Sequence, residues 1–491
     1  MNTDLAHLTF SFASWVPWFT LRSGPPLPET EPGARHFDQS ITEGPILKSV
    51  WKIAWPTVLQ NIIAGLQGFI DHAMVGHFVG FHGNAAIGVS WQIFLVILVF
   101  VSSIFIGMGT LVARYAGAND PEKVNKTVQQ SFLTATVLAC LILAPIGYFL
   151  APSLLEFVNA DPHVQQEALP YLRIMLVCSI GLLWFFMIGG ALRSAGDAKT
   201  PLRLGVLLTV LNIALNFVFI RGLGPIPAFG TAGAGIGTSM ASAIVGIIGI
   251  SLLYSGRLVI RFDRTMTWKP DFQIIRALFR FGLPAGFQGV AMNVAGVLML
   301  RFIGSLQNSA EAQAAYTVGY AQLFSLVTWS SVGLMGAAAA VAGQNLGARK
   351  PERVRSAVYR TSLLGLLLAF GIGLAFLLIP GQLLGIFGIS DPIVLSLGFE
   401  LLRYLSISGL FVTVALAFTG GLQGTGDTRS PLYISIVSQM IIPLGFCWIV
   451  QSMTTLAPHH VWLAIVIGHL VRASLSAARF RQGKWMDIRI E

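Results

Sequence analysis

The hydrophobic and polar positions of the chain alternate on a long scale, with apolar runs of helix-spanning length broken by short polar stretches. A membrane helix needs about 20 predominantly apolar residues. Twelve runs qualify, at 53–77, 87–112, 128–151, 171–191, 202–221, 232–255, 281–304, 316–341, 361–381, 403–420, 431–452 and 459–477. The pattern predicts an all-α membrane protein with twelve transmembrane helices.

Composition agrees. Of the 491 residues 54% are hydrophobic and 11% charged, with a mean hydropathy of +0.72. Soluble domains carry about 25% charged residues, so an ordinary globular enzyme is excluded. Helices that pack closely in a membrane use small residues, and 52 Gly fit that use. Cys140, Cys178 and Cys447 lie scattered in apolar runs and form neither a disulfide framework nor a metal pattern.

The net charge of +10 has a topological explanation. Lys and Arg collect in cytoplasmic loops. Here they sit in the tails and after the even-numbered spans: Arg114, Lys123 and Lys126, then Arg257, Arg261, Arg264, Lys269, Arg276 and Arg280, then Arg349 to Arg360, with Arg472 grouped with the C-terminal end. Only Arg173, Arg221, Arg301 and Arg403 fall on the other side. Both termini are therefore expected in the cytoplasm, and no nucleic-acid partner is needed. Residues 1–46 hold Pro25, Pro26, Pro28 and Pro32 and are expected to be a disordered tail. Its apolar stretch 8–21 is a candidate for contact with the membrane surface, and it lacks the basic start of a signal peptide.

The chain repeats itself at a constant offset of 230. GANDPEKV (117–124) returns as GARKPERV (347–354), and ALRSAGDAKTPL (191–202) as GLQGTGDTRSPL (421–432). Asp161 and Pro162 match Asp391 and Pro392, and Arg173 matches Arg403. The expected organisation is an N-terminal six-helix bundle (47–257), a cytoplasmic linker (258–274), a C-terminal six-helix bundle (275–478) and a tail (479–491). Both halves start on the same side, so the two bundles are related by a pseudo-two-fold axis along the membrane normal, a layout used by transporters. Gly117 and Gly347 suit a left-handed helix end, Pro121 and Pro351 the first turn of a short cytoplasmic helix. Thr200 and Pro201, like Ser430 and Pro431, read as N-cap and first residue of spans 5 and 11, after a Gly-Asp turn.

One carboxylate breaks the apolar pattern. Asp71 lies about 18 residues into span 1, in its outer half at roughly 1.5 Å per residue, and an acid at such depth is normally kept for ion or proton handling. Gln60, Gln67 and Asp71 share one helical face because steps of 7 and 4 nearly close whole turns. That face is expected to look into a cavity. Asn212 and Asn216 lie four apart on span 5, and Thr238 on span 6 is in the outer half too. A carboxylate with amide and hydroxyl oxygens suits a hard monovalent cation or a proton. Asp71, Asn212, Asn216 and Thr238 are thus the expected cation-coupling set, with no other metal site. Gln288, Asn293, Tyr316, Tyr320 and Gln439, with Gln60 and Gln67, are expected to line a substrate cavity. Pro56 is a candidate hinge, and His72 a candidate for tuning the acid.

The paired G-A-x-x-P-E-[KR]-V loops, the G-D-x-x-x-P-L turns, FIDHAMVGH in span 1 and LNIALNFVFIRGLG in span 5 resemble the multidrug and toxic compound extrusion (MATE) family over about residues 47–478. The resemblance implies two bundles around a V-shaped cavity and export of organic cations or other amphipathic drugs in exchange for Na⁺ or H⁺. Asp71 falls at the acid of the family's span 1 pattern and Asn212 at the first polar position of span 5. Where some members place a second acid, this chain has Asn216. Members that couple through the second half carry acids in spans 7 and 10, where this chain has Met292 and Asn293 and no acid.

The reading that follows is a secondary active multidrug antiporter, not an enzyme. It needs no cofactor beyond Na⁺ or H⁺, and is a monomer among the lipids of a bacterial inner membrane. The alternative is a flippase for lipid-linked oligosaccharide of the same wider fold, whose cavity would need Arg or Lys for pyrophosphate. The spans read as nearly free of such cations.

Overall fold

A computed structural model describes residues 37–158, 161–263 and 265–490. Twelve long helical elements follow one another: α1 Ile46–Phe78, α2 Phe81–Gly117, α3 Pro121–Phe157, α4 formed by Pro162–Val177 and Ile180–Ser194 with a bend of 51° between them, α5 Lys199–Arg221 and α6 Gly230–Tyr254. The second half repeats the series as α7 Phe272–Gly304, α8 Ser309–Gly347, α9 Pro351–Leu378, α10 Pro392–Thr425, α11 Arg429–Met453 and α12 Pro458–Arg481. Ten of them are long and apolar enough to cross a membrane, and the bent α4 makes eleven. The 37-residue α2 contains the apolar run 87–112 and completes the twelve. Among the described residues the only extended pairing is an isolated bridge between Leu223 and Ile226. In hydrocarbon each backbone group has to be satisfied within its own segment, which helices achieve. The chain is an integral membrane protein. Phe149, Leu367 and Trp448, 72%, 63% and 66% exposed, are apolar side chains of the kind that lipid covers.

The internal repeat is visible in backbone detail. Asp161 and Asp391 cap α4 and α10 by accepting from the amides of His163 and Ile393 at 2.9 and 2.8 Å, each with proline at the first helical position. Asn119 and Arg349 are both left-handed, with φ of 56° and 59°, as are Gly196 and Gly426, with φ of 102° and 100°.

The loop after α2 corrects two expectations. The left-handed residue is Asn119, not Gly117. A Cβ on Gly117 would lie 1.8 Å from the carbonyl oxygen of Gln344, and one on Gly347 would lie 2.0 Å from that of Arg114. These two glycines therefore let α2 and α8 touch backbone to backbone where the halves cross. Pro121 and Pro351 open α3 and α9 themselves, because no helix breaker separates them from the apolar run that follows. The turn before α5 is as expected, but the cap is not Thr200. Asp197 accepts from the amides of Lys199 and Thr200 at 3.1 and 3.0 Å and from the Thr200 hydroxyl at 2.6 Å. A carboxylate reaches two amides at once, so α5 starts two residues earlier. Asp427 does the same with Ser430 and adds Arg479 at 2.9 Å.

The two halves are stitched at one end. Besides the glycine crossing, the Thr110 hydroxyl donates to the Gln423 carbonyl at 2.9 Å, and Gln344 donates to the Ser194 carbonyl at 2.7 Å. Segments expected as tails and linker are docked at this same end. Phe37 and Ile41 are buried, the Ile41 carbonyl accepts from Asn345 and Arg353, and the Gly44 carbonyl from Arg353 at 2.7 Å. Lys52 pairs with Asp38. The disorder expected for 1–46 is thus corrected for 37–46, which pack as a strap; residues 1–36, including 8–21, lie outside the described residues. The linker packs too, with Leu258, Ile260 and Phe262 in the core of the first half and Gln130 bonding Lys269 and Asp271 at 2.9 Å. In the C-terminal tail Trp485 is fully buried.

Candidate functional site

Asp71, Asn212, Asn216 and Thr238 come together from three helices. Asn212 and Asn216, one turn apart on α5, are both fully buried. The Asn216 amide nitrogen donates to Asp71 Oδ1 at 2.8 Å and lies 3.4 Å from Asn212 Oδ1. The Asn212 amide nitrogen in turn donates to Thr238 Oγ1 on α6 at 2.8 Å. The result is a polar relay from α1 through α5 to α6 inside an apolar bundle. Asp71 itself is half-buried.

Gly237 makes the relay fit. A Cβ there would lie 2.1 Å from Asn216 Oδ1, so glycine lets the carboxamide oxygen rest against α6. That oxygen is buried without a hydrogen-bond partner. A buried unsatisfied acceptor is costly, and this one lies on the same carboxamide that binds Asp71. Carboxylate, amide and hydroxyl oxygens are the donor set that a hard cation takes, and the free oxygen equally suits a protonated carboxyl group.

The rest of the polar face of α1 bonds to α4 and α5, with Gln60 and Gln67 half-buried. The Thr209 hydroxyl donates to Gln67 Oε1 at 2.9 Å. Arg193, at the end of α4, donates to Gln60 Oε1 at 3.3 Å. Polar groups within a bundle hold helices together in this way. Sequence reasoning missed Thr209, Arg193 and Gly237. Thr209 was findable, since it precedes Asn216 by two turns on the same face; Gly237 and Arg193 needed the packing. His72 does not face Asp71: its Nδ1 lies 2.6 Å from Asn84 Oδ1 on α2. Pro56 is buried in α1, which runs as one helix through it.

The expected cavity residues of the second half separate. Gln288 is buried, donating to Ser435 at 2.8 Å and accepting from Gln423 at 3.2 Å. Tyr316 is buried in a stack with Tyr320 and Trp462, at ring distances of 4.9 and 6.2 Å. These two belong to the packed bundle, because their polar or aromatic partners lie within it. Tyr320 and Gln439 are half-buried, and Gln439 donates to the Ser438 carbonyl. Asn293 is exposed and bonds only its own helix, at Gly289. One further correction concerns charge. Arg472, grouped with the cytoplasmic tail by sequence, sits inside α12 and is 2% exposed.

Comparison with known proteins agrees with the duplicated helical architecture. The MatE family model matches residues 56–218 and 284–449, one stretch in each half. The probable multidrug resistance protein NorM of Thermotoga maritima is 26% identical over 442 residues, covering 90% of this chain and 93% of the relative. The multidrug resistance protein MdtK of Pectobacterium atrosepticum is 24% identical over 458 residues, covering 90% and 96%. Among solved structures, the outward-facing conformation of a multidrug resistance MATE family transporter superimposes with a TM-score of 0.85 at 21% identity, covering 93% of this chain and all of that one.

Proposed function

The chain belongs to the MatE family of multidrug efflux transporters, and from that premise we propose that it is a secondary active antiporter that exports organic cations or amphipathic drugs in exchange for Na⁺ or H⁺. The observation that carries the coupling role is the bond from Asn216 to Asp71 beside a partnerless amide oxygen, within the apolar first half. Multidrug resistance in the names of the relatives supports the substrate class.

The excess of Lys and Arg near the stitched end, where both tails dock, supports a cytoplasmic position for that end. The halves are joined there, which supports reading this as a state that exchanges ions with the opposite side. In this state Asp71 takes up its ion. Na⁺ would be held by the Asp71 carboxylate, Asn216 Oδ1 and the hydroxyl of Thr238. A proton would turn Asp71 into a donor for Asn216 Oδ1. Either event neutralises the negative charge that Asn216 now satisfies and would rearrange the contact between α1 and α5. Pro56, which leaves one carbonyl of α1 without its helical partner, gives α1 a place to bend in response. A ligand shifts such an equilibrium only through different affinity for the two states. Export follows because drug and ion favour opposite states.

A flippase reading needs exposed cations in a cavity for pyrophosphate. Arg193 is engaged by Gln60, which favours the antiporter. Uptake of a cationic dye into inverted membrane vesicles under an imposed Na⁺ or pH gradient tests the proposal. One of the two gradients should accelerate dye movement, and indifference to both would refute antiport.

A further inference from the structure

The second half holds a buried cation that the coupling relay does not use. Arg472 is 2% exposed, two-thirds of the way along α12. Its Nε has no partner, and no ion pair or hydrogen bond joins it to another described residue. Gly468, Arg472 and Ser476 lie four apart on one helix face. A Cβ on Gly468 would lie 2.7 Å from the Ser438 carbonyl oxygen, which fixes α11 against this face. The hydroxyls of Ser438 and Ser476 are also buried without partners. One turn before Arg472, His469 is 3% exposed, with Nδ1 2.5 Å from the Ser408 hydroxyl. Its ring stacks on Phe324 at 5.9 Å, and Phe324 on Tyr320 at 5.4 Å.

Two features set this cluster apart from ordinary packing. Tyr320 and Ser438 both lie in π-helical segments, Thr317–Leu323 and Ile436–Ile441, and such bulges recur at functional sites. The first repeat has no arginine at the matching place. Its equivalents of His469 and Arg472 are Ser239 and Ser242, and the Ser242 hydroxyl bonds the Ser239 carbonyl at 3.0 Å.

A guanidinium has only donors to offer, and a buried charge without a counter-charge is strongly unfavourable. Arg472 and the two partnerless hydroxyls therefore call for a negatively charged acceptor. We propose that Arg472, with Ser438 and Ser476, binds a monovalent anion inside the second bundle, either a free halide or the carboxylate of a transported molecule.

The test uses purified full-length protein in sodium methanesulfonate, with the thermal unfolding midpoint followed as bromide, or separately benzoate, replaces methanesulfonate at constant sodium and ionic strength. A saturable rise in midpoint is expected for at least one anion, and Arg472→Gln should abolish it. A bromide response identifies a free ion, and a response to benzoate alone a carboxylate. No saturable response to either, or an unchanged response in Arg472→Gln, overturns the site. If that variant does not accumulate, anomalous scattering from wild-type crystals grown in the stabilising halide, or in p-bromobenzoate if only benzoate stabilises, decides: bromine beside Arg472 is expected, and bromine only elsewhere contradicts it. Because no transport is measured, the outcome is independent of the antiport reading.

Discussion

Asn216 donates a hydrogen bond of 2.8 Å to Asp71 across 145 residues of sequence, and its own carbonyl oxygen is left buried without a partner. The carboxamide therefore satisfies the charged acid on one side and keeps an acceptor free on the other. An ion bound at the acid would change what this carboxamide faces, which is what coupling requires.

Asn216→Ala removes the donor and the free oxygen together. A hydrogen bond to a charged group contributes about 1.5–3 kcal/mol, so the cation or proton concentration that half-saturates export should shift by roughly 10-fold or more. Transport measured over a range of Na⁺ concentration and pH reads the shift. Thr209→Val, which loses only the bond to Gln67, should change it much less.

The crossing of the two halves depends on glycine at Gly117 and Gly347. Alanine at either position has to push apart backbones that a Cβ would meet at 1.8 and 2.0 Å. Overpacking of this kind costs about 1–3 kcal/mol or more, so Gly117→Ala should lower the unfolding midpoint in detergent and the folded yield. Gly68→Ala, with nothing within 4 Å, is the control and should behave as wild type.

Arg353 holds the strap through the carbonyls of Ile41 and Gly44 and through Asn345 Oδ1 at 2.9 Å. Arg353→Met should release residues 37–45, detected as faster proteolytic cleavage within them while the helical core stays intact.

The strap also has a predictable pH dependence. Burial pushes the Asp38 carboxyl up, but its bonds with Lys52 and Ser40 outweigh that and hold it below the usual carboxylate range. A depressed acid stabilises the fold above its unfolded value of about 3.9 and loses this as pH falls through its folded value. Protection of the strap should therefore be flat above about pH 5 and fall only in stronger acid. Asp38→Asn should abolish that acid-side fall.

The helix count, the duplication and the set of Asp71, Asn212, Asn216 and Thr238 are legible in the sequence because each rests on a local signal: apolar length, a constant offset, and polar positions on apolar helices. The glycine crossing was not. Gly117 reads as a helix end, and only the packing of α2 on α8 reveals why a side chain is excluded there. Arg472 was misplaced because charge next to a tail looks cytoplasmic until the helix continues nine residues past it. Docking of the strap and linker is not legible, because it depends on distant partners such as Arg353 and Gln130, which leave no periodic pattern.

The central claim is that Asp71 couples the ion to export. The most direct measurement compares wild type and Asp71→Asn reconstituted in proteoliposomes, with export of a cationic dye driven by an imposed Na⁺ or proton gradient. The predicted result is loss of gradient-driven export in Asp71→Asn at normal yield and unfolding midpoint. Export by Asp71→Asn at the wild-type rate, still driven by the gradient, would contradict the account.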